Sequence, residues 1–289
     1  MAVVTKNNLT YFSDVSGEHI RVESDRIDAY IEEINNLKLD RVTVIDNAYK
    51  NADIDFVRQC KTLVDISIMS DRVKDVTALY DIGNTVERIR IEKLYHDLDM
   101  SRFPKIKKFG TNWTTHIKNL SSCANLEILG LLNVNTHDLA FLPPLNALKR
   151  FGITRGTITS FKGMELLQNL ESTSFDYLSK LEDITALHAV DSSLRELRFE
   201  SCKRIRYEEV AGLQNLETLA FVRCGDISSL DFLNQMPKLK NFIFVGTNVI
   251  DGDLSPCERL DYVGFLDKRH YSHKSAYFEQ KNQRLAKQP

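Results

Sequence analysis

Three carboxylates in this sequence, Glu92, Asp176 and Glu200, are spaced so that one surface could hold them all, and carboxylates on one surface can do general acid–base work. That work needs a nucleophile or a histidine beside them. None is expected there, because His116, His137 and His188 fall on turns or return segments. The run His270-Tyr271-Ser272-His273 spaces two histidines as a helical metal site would, yet Lys268, Arg269 and Lys274 flank it and would repel a cation. Phosphate-loop, zincin, nucleophile-elbow and C-x-x-C patterns are absent from the chain. The expectation is a protein with no catalytic residues, no metal and no cofactor.

A second kind of chemistry is recognition. Arg88, Arg90, Lys93, Lys108, Arg150 and Arg155 mix with the single tryptophan, Trp113, as the cations and aromatics of a single-strand nucleic-acid groove do. The acids Glu92, Asp176, Glu196 and Glu200 interrupt that band, and the chain carries a formal net charge of -2. A nucleic acid is therefore the disfavoured partner and another protein the favoured one.

The side chains named above are placed by a repeat. Leu216-Glu217-Thr218-Leu219-Ala220-Phe221-Val222-Arg223-Cys224 reads L-x-x-L-x-F-x-x-C, and Leu194 to Cys202 repeats it. The first apolar residues of successive copies are Leu39, Leu63, Val86, Ile106, Leu126, Leu148, Leu170, Leu194, Leu216, Leu239 and Leu260. Their spacings of 24, 23, 20, 20, 22, 22, 24, 22, 23 and 21 residues hold one register. Alternation over three slots makes a short strand with one buried face. Pairs such as Ile184/Leu187, Val210/Leu213 and Leu230/Leu233 suit a single 3₁₀ or helical turn on each return segment.

By these residues the chain resembles the leucine-rich-repeat family, in the subtype with repeats near 22 residues found in phosphatase-regulating subunits and bacterial internalins. The resemblance implies an α/β solenoid, with a parallel sheet lining a concave side and short helices or 3₁₀ turns on the convex side. The turn asparagine of that family stands only at Asn47; elsewhere Asp71, Leu94, Thr114, Val134, Gly156, Leu178, Cys202, Cys224 and Thr247 replace it. The solenoid is expected over residues 39–266. An N-terminal cap over 1–38 precedes it: a hairpin around Asp14-Val15-Ser16-Gly17, then a helix through Ile27, Tyr30, Ile31, Ile34 and Leu37, N-capped at Ser24-Asp25. A basic tail or cap, with a short helix around Ser275 to Lys287, follows over 267–289; from Lys268 onward it holds six Lys/Arg against one acid, Glu279.

Counting the first leucine as one, the third, fifth, seventh and eighth residues of a repeat face outward. This places Arg88, Arg90, Glu92, Lys108, Trp113 and Leu132 on the concave face, followed by Arg150, Arg155, Asp176, Tyr177, Arg198 and Glu200. These twelve are the expected partner-binding residues, since arginine and aromatic anchors mark interface centres. Gly110, Gly130 and Gly152 share one slot in three consecutive strands. Glycine weakens a strand, so the row suggests close approach of a partner to the backbone, unless Trp113 and other large neighbours lie over the gap.

All five cysteines fall in the register, at apolar slots (Cys60, Cys123, Cys257) or at turns (Cys202, Cys224), as structural thiols of a reducing compartment would. The N-terminus lacks the pattern of a signal peptide, and no window is apolar enough for a membrane span. A cytoplasmic monomer is expected. By layout it resembles immunity or inhibitor proteins kept against bacterial toxins. The alternatives are a regulatory subunit of a cytosolic enzyme, resembling phosphatase regulators, and a single-stranded nucleic-acid scaffold.

Overall fold

The computed structural model describes residues 2–6, 9–14 and 17–279. The chain divides into two compact units, Met1–Leu131 and Leu132–Pro289.

In the first unit, β1 (Ala2–Lys6), β2 (Leu9–Asp14) and β3 (Gly17–Arg21) form an antiparallel meander. The sequence reading included β2 and β3 but not β1, and the residues joining β2 to β3 lie outside the described ones. Helix α1 (Ile27–Leu37) follows and buries Tyr30 and Ile34. Then β3 pairs in parallel with β4 (Arg41–Ile45), and β4 in turn with β5 (Asp65–Met69) and β5 with β6 (Arg88–Ile91). A two-residue strand β7 (Leu98–Asp99) sits on the return segment ahead of β8 (Lys108–Asn112), which adds to β6. It pairs with a second short strand, β9 (Ile117–Lys118), and the main sheet continues through β10 (Ile128–Val134).

In the second unit the parallel order is β11 (Arg150–Gly156), β12 (Ser172–Asp176), β13 (Glu196–Glu200), β14 (Thr218–Val222), β15 (Asn241–Ile243) and β16 (Tyr262–Gly264). Like slots stack on like: Thr173, Leu197, Leu219, Phe242 and Val263 run in register. Phe175 lies 5.7 Å from Phe199, and Phe199 lies 5.7 Å from Phe221, ring to ring. Each repeat therefore buries its face only against its neighbours.

Most return segments carry a short 3₁₀ helix, among them Asp55–Gln59, Thr77–Ile82, Thr185–Val190 and Asp231–Gln235. A local device starts many of them. The Asp75, Asp99, Asp183 and Asp253 carboxylates each accept the backbone N–H two residues on, at 2.8, 3.0, 3.0 and 2.9 Å. These Asx turns satisfy a donor that would otherwise be orphaned and bend the chain out of the sheet.

The missing turn asparagines are replaced by a different ladder. The Cys202 thiol donates to the Phe175 carbonyl at 3.3 Å and the Cys224 thiol to Phe199 at 3.6 Å. In the next repeat Thr247 Oγ1 donates to the Phe221 carbonyl at 2.8 Å. At Gly156 a side chain is excluded altogether, because a Cβ there would lie 2.3 Å from the Val134 carbonyl oxygen. The five cysteines are all free and buried. Burial pushes the Cys60 and Cys123 thiols up to about 11 and those of Cys202 and Cys257 up to about 12, so they stay protonated.

Two sequence expectations change. Ser24 does not cap α1: residues Ser24–Arg26 form a 3₁₀ turn, and the Ser24 hydroxyl accepts the Lys50 N–H at 2.6 Å instead. A tertiary bond to the first repeat has taken the capping group. Leu37 leaves the buried face and is 57% exposed, because the chain turns left-handed at Lys38 (φ 53). The segment after Leu266, expected as a basic tail or cap, packs on the last repeat as far as it is described: Tyr271 and Phe278 are buried, their rings 5.9 and 5.8 Å from Phe265. Backbone helix runs over 275–279, and the rest of the helix expected to Lys287 lies outside the described residues.

Candidate functional site

Strand alternation leaves the residues between the apolar slots on the sheet face opposite the return turns. In the first unit that face forms a groove of about 680 Å³. Phe12, Ile45, Met69 and Ile128 give it apolar walls, and Gly110 and Gly130 line it. Arg41, Arg88, Arg90 and Lys108 stand around it with a single acid, Asp65. Arg88 pairs with Asp65 at 3.0 Å, while Arg41 approaches Asp40 at 3.6 Å. Burial pushes the Asp65 carboxyl above its ordinary value, and the nearby Arg88 and Arg41 offset only part of that.

Arg90 and Glu92 are exposed, and Lys108 is half-buried on the same face. Trp113 is half-buried rather than sealed in the core. A Cβ built on Gly130 meets nothing within 4 Å, and one on Gly110 comes only to 3.7 Å from the Gly130 carbonyl oxygen. Internal packing therefore does not demand glycine at either place, and no neighbour such as Trp113 fills the space beside Gly130.

The first two repeats also contribute to the groove, through Arg41, Ile45, Asp65 and Met69. Sequence reasoning passed over them, although the same counting rule, applied from Leu39 and Leu63, selects all four. Phe12 and His19 come from the N-terminal meander and follow no repeat rule.

In the second unit the face carries a connected cluster. Arg198 Nη1 donates to Asp176 at 2.6 Å, and its Nη2 donates to Glu200. Glu200 also accepts from Arg223 and, at 3.2 Å, from the Tyr177 hydroxyl. The Arg155 guanidinium lies over the Tyr177 ring, 5.9 Å from its centroid. Burial raises the Asp176 carboxyl pKa, with Arg198 pulling it back in part. Asp176 and Glu200, two of the acids that interrupt the basic band, are thus largely neutralised by neighbouring arginines. Arg150 is exposed and Leu132 half-buried, while a Cβ on Gly152 would press on Ser174 Oγ at 3.1 Å.

A backbone feature orders this cluster. The eighth residue of six repeats takes positive φ: Asn133 (53), Arg155 (64), Tyr177 (59), Ser201 (56), Arg223 (51) and Gly246 (71). Left-handed backbone costs about 1 kcal/mol at a non-glycine residue. The ladder of amides opposes that cost. Tyr177, Ser201 and Arg223 donate their N–H groups to the carbonyls of Glu200, Val222 and Val245, at 2.7, 2.9 and 2.9 Å. Arg223 was missed from sequence, though it fills the eighth slot of the Leu216 repeat.

His270 and His273 do not converge. His270 Nε2 meets the Val249 carbonyl at 2.9 Å, and His273 Nε2 meets Glu258 at 3.1 Å. Among the described residues no helix is long and apolar enough to cross a membrane.

No known family pattern matches the sequence. No curated protein matches it either. Solved structures do. An internalin of Listeria monocytogenes superposes with a TM-score of 0.57 at 16% identity, over 83% of this chain and 73% of that one. Internalin C2 of the same organism gives 0.44 at 18% identity, covering 60% and 77%. A leucine-rich-repeat protein of Leptospira interrogans gives 0.44 at 12%, covering 78% and 73%. The fold of this chain is that of a leucine-rich-repeat solenoid.

Proposed function

We propose that this protein is a non-catalytic scaffold that captures one protein partner on the open face of its repeat sheet. The observation that carries this reading is the Arg155–Tyr177–Glu200–Arg198 cluster. Its cation, ring and carboxylates are already held by one another and by left-handed backbone. Side chains ordered before contact lose little entropy on binding, which favours capture of a single partner. The expected contact residues stand as proposals: Arg88, Arg90, Glu92, Lys108, Trp113 and Leu132, then Arg150, Arg155, Asp176, Tyr177, Arg198 and Glu200, with Arg223 added.

A face of this kind suits tight occupancy. The specific form we favour is an immunity protein that sits on the working surface of a bacterial toxin in the cytoplasm. Five buried thiols, none of them in a disulfide, support a reducing compartment. The test is affinity capture from the native host, with wild-type chain and an Arg155→Glu variant side by side. The reading expects one protein retained by wild type only, and protection of cells that express this chain from that protein's toxicity. Retention of an active, uninhibited enzyme would make the chain a regulatory subunit instead. Equal retention by both chains would remove the proposed face.

A further inference from the structure

We propose that the groove of the first unit receives an acidic, apolar-bearing segment of the protein partner, with a carboxylate at Arg90 and Lys108 and an apolar side chain over Gly110 and Gly130. This rests on the capture reading above and adds the chemistry of what is captured.

The charges are the first support. Of the cations lining the groove, Arg88 is occupied by Asp65 and Arg41 is partly offset by Asp40. Arg90 and Lys108 have no ion pair among the described residues. Arg90 pairs with Gly110 across strands β6 and β8, and Lys108 with Arg88, so the two cations are diagonal neighbours on one face. With strands about 4.8 Å apart and a rise of about 3.3 Å per residue, such neighbours on parallel strands stand about 8 Å apart, within reach of one carboxylate for side chains this long. A desolvated carboxylate with two such donors is a strong, orienting contact.

The floor is the second support. A methyl-sized atom fits beside Gly130 with nothing inside 4 Å, and beside Gly110 at ordinary contact distance. Ile128, two residues before Gly130 on β10, supplies hydrocarbon next to that space, and Met69, Ile45 and Phe12 continue the apolar lining of the same groove on β5, β4 and β2, strands farther from the glycines. A nucleic-acid strand would lay phosphates along the groove and want a run of cations. A peptide with alternating acidic and apolar residues matches both the paired cations and the apolar bed.

The test uses a fluorescein-labelled peptide of alternating aspartate and leucine, read by anisotropy against the full-length chain. Control probes are a lysine–leucine peptide, an aspartate–serine peptide and a single-stranded oligothymidylate. The expected result is binding of the aspartate–leucine peptide at least about tenfold tighter than either control peptide. Arg90→Glu with Lys108→Glu, and separately Gly130→Leu, should each weaken it about tenfold or more while the melting temperature holds. An unchanged affinity in the charge-reversed chain overturns the proposal, as does tighter binding of the oligothymidylate. Native capture separates the two levels. If the charge-reversed chain still retains its partner and Arg155→Glu does not, this inference fails and the capture reading stands. If neither change affects retention, the capture reading falls with it.

Discussion

Tyr177 is bonded to Glu200 twice: its backbone N–H donates to the Glu200 carbonyl at 2.7 Å and its hydroxyl to the Glu200 carboxylate at 3.2 Å. The first bond fixes the left-handed backbone and the second fixes the ring, which remains 46% exposed. Glu200 itself is almost covered, with 12% of its side chain accessible, because Arg198 and Arg223 close on it from either side. Removing the carboxylate leaves those two cations facing each other. Glu200→Ala should therefore cost about 1–3 kcal/mol in urea unfolding. Tyr177→Phe, which keeps the ring and the arginines' acceptor, should cost under about 1 kcal/mol.

Loss of contact chemistry should be separable from loss of fold. Trp113 is half-buried and Arg155 exposed, so Trp113→Ala and Arg155→Glu are expected to abolish partner capture and leave the melting temperature nearly unchanged. Pull-down paired with thermal melts checks this. Unfolding of both variants would place the two residues in the core.

The Thr247 hydroxyl is a structural keystone of the turn ladder. It accepts the Cys224 N–H at 2.9 Å while donating to the Phe221 carbonyl, and it is buried. Thr247→Val preserves the shape and strands both backbone groups away from water. A loss of about 1–3 kcal/mol is expected by denaturant titration, and Thr247→Ser should recover most of it.

Left-handed backbone gives an opposed pair of substitutions at one site. Ser201 has φ 56, and its N–H already serves the ladder. Ser201→Gly should stabilise by about 0.5–1 kcal/mol, and Ser201→Val should destabilise by more than about 1 kcal/mol, because a branched Cβ is least tolerated there. Equal melting temperatures for the two variants would contradict the assigned conformation.

Acid should loosen the return turns. Hydrogen bonds from the Ser or Thr two residues on hold the carboxyls of Asp75, Asp99, Asp183 and Asp253 below the ordinary value; Ser160 also bonds Asp183. On acidification the unfolded chain takes up protons first. The stabilisation is thus whole above the unfolded value of about 4 and is lost as pH falls through the lower folded values. Asp65 and Asp176, raised by burial, act with the opposite sign, since protonation relieves their cost. Replacing Asp183 by Asn should flatten the fall of melting temperature between about pH 4 and pH 2 relative to wild type.

The sequence by itself determined the repeat strands and the alternation of buried and open slots along them. A period-two pattern held over successive repeats leaves one register in which the apolar slots stack, as they do from Val42 and Val44 to Val263. It also determined the turn slots, where Cys202 and Cys224 are small enough to reach a neighbouring carbonyl. Only the tertiary structure decided which exposed charges are spent on one another. Arg198 reads from sequence as an available cation, but Asp176 and Glu200 lie one strand and two residues away and absorb it. Likewise the left-handed row at Tyr177, Ser201 and Arg223 has no glycine to announce it, because carbonyls of the next repeat accept its amides and so hold it. Local pattern fixes direction; partnership between side chains from different repeats depends on distances that exist only once the repeats are stacked.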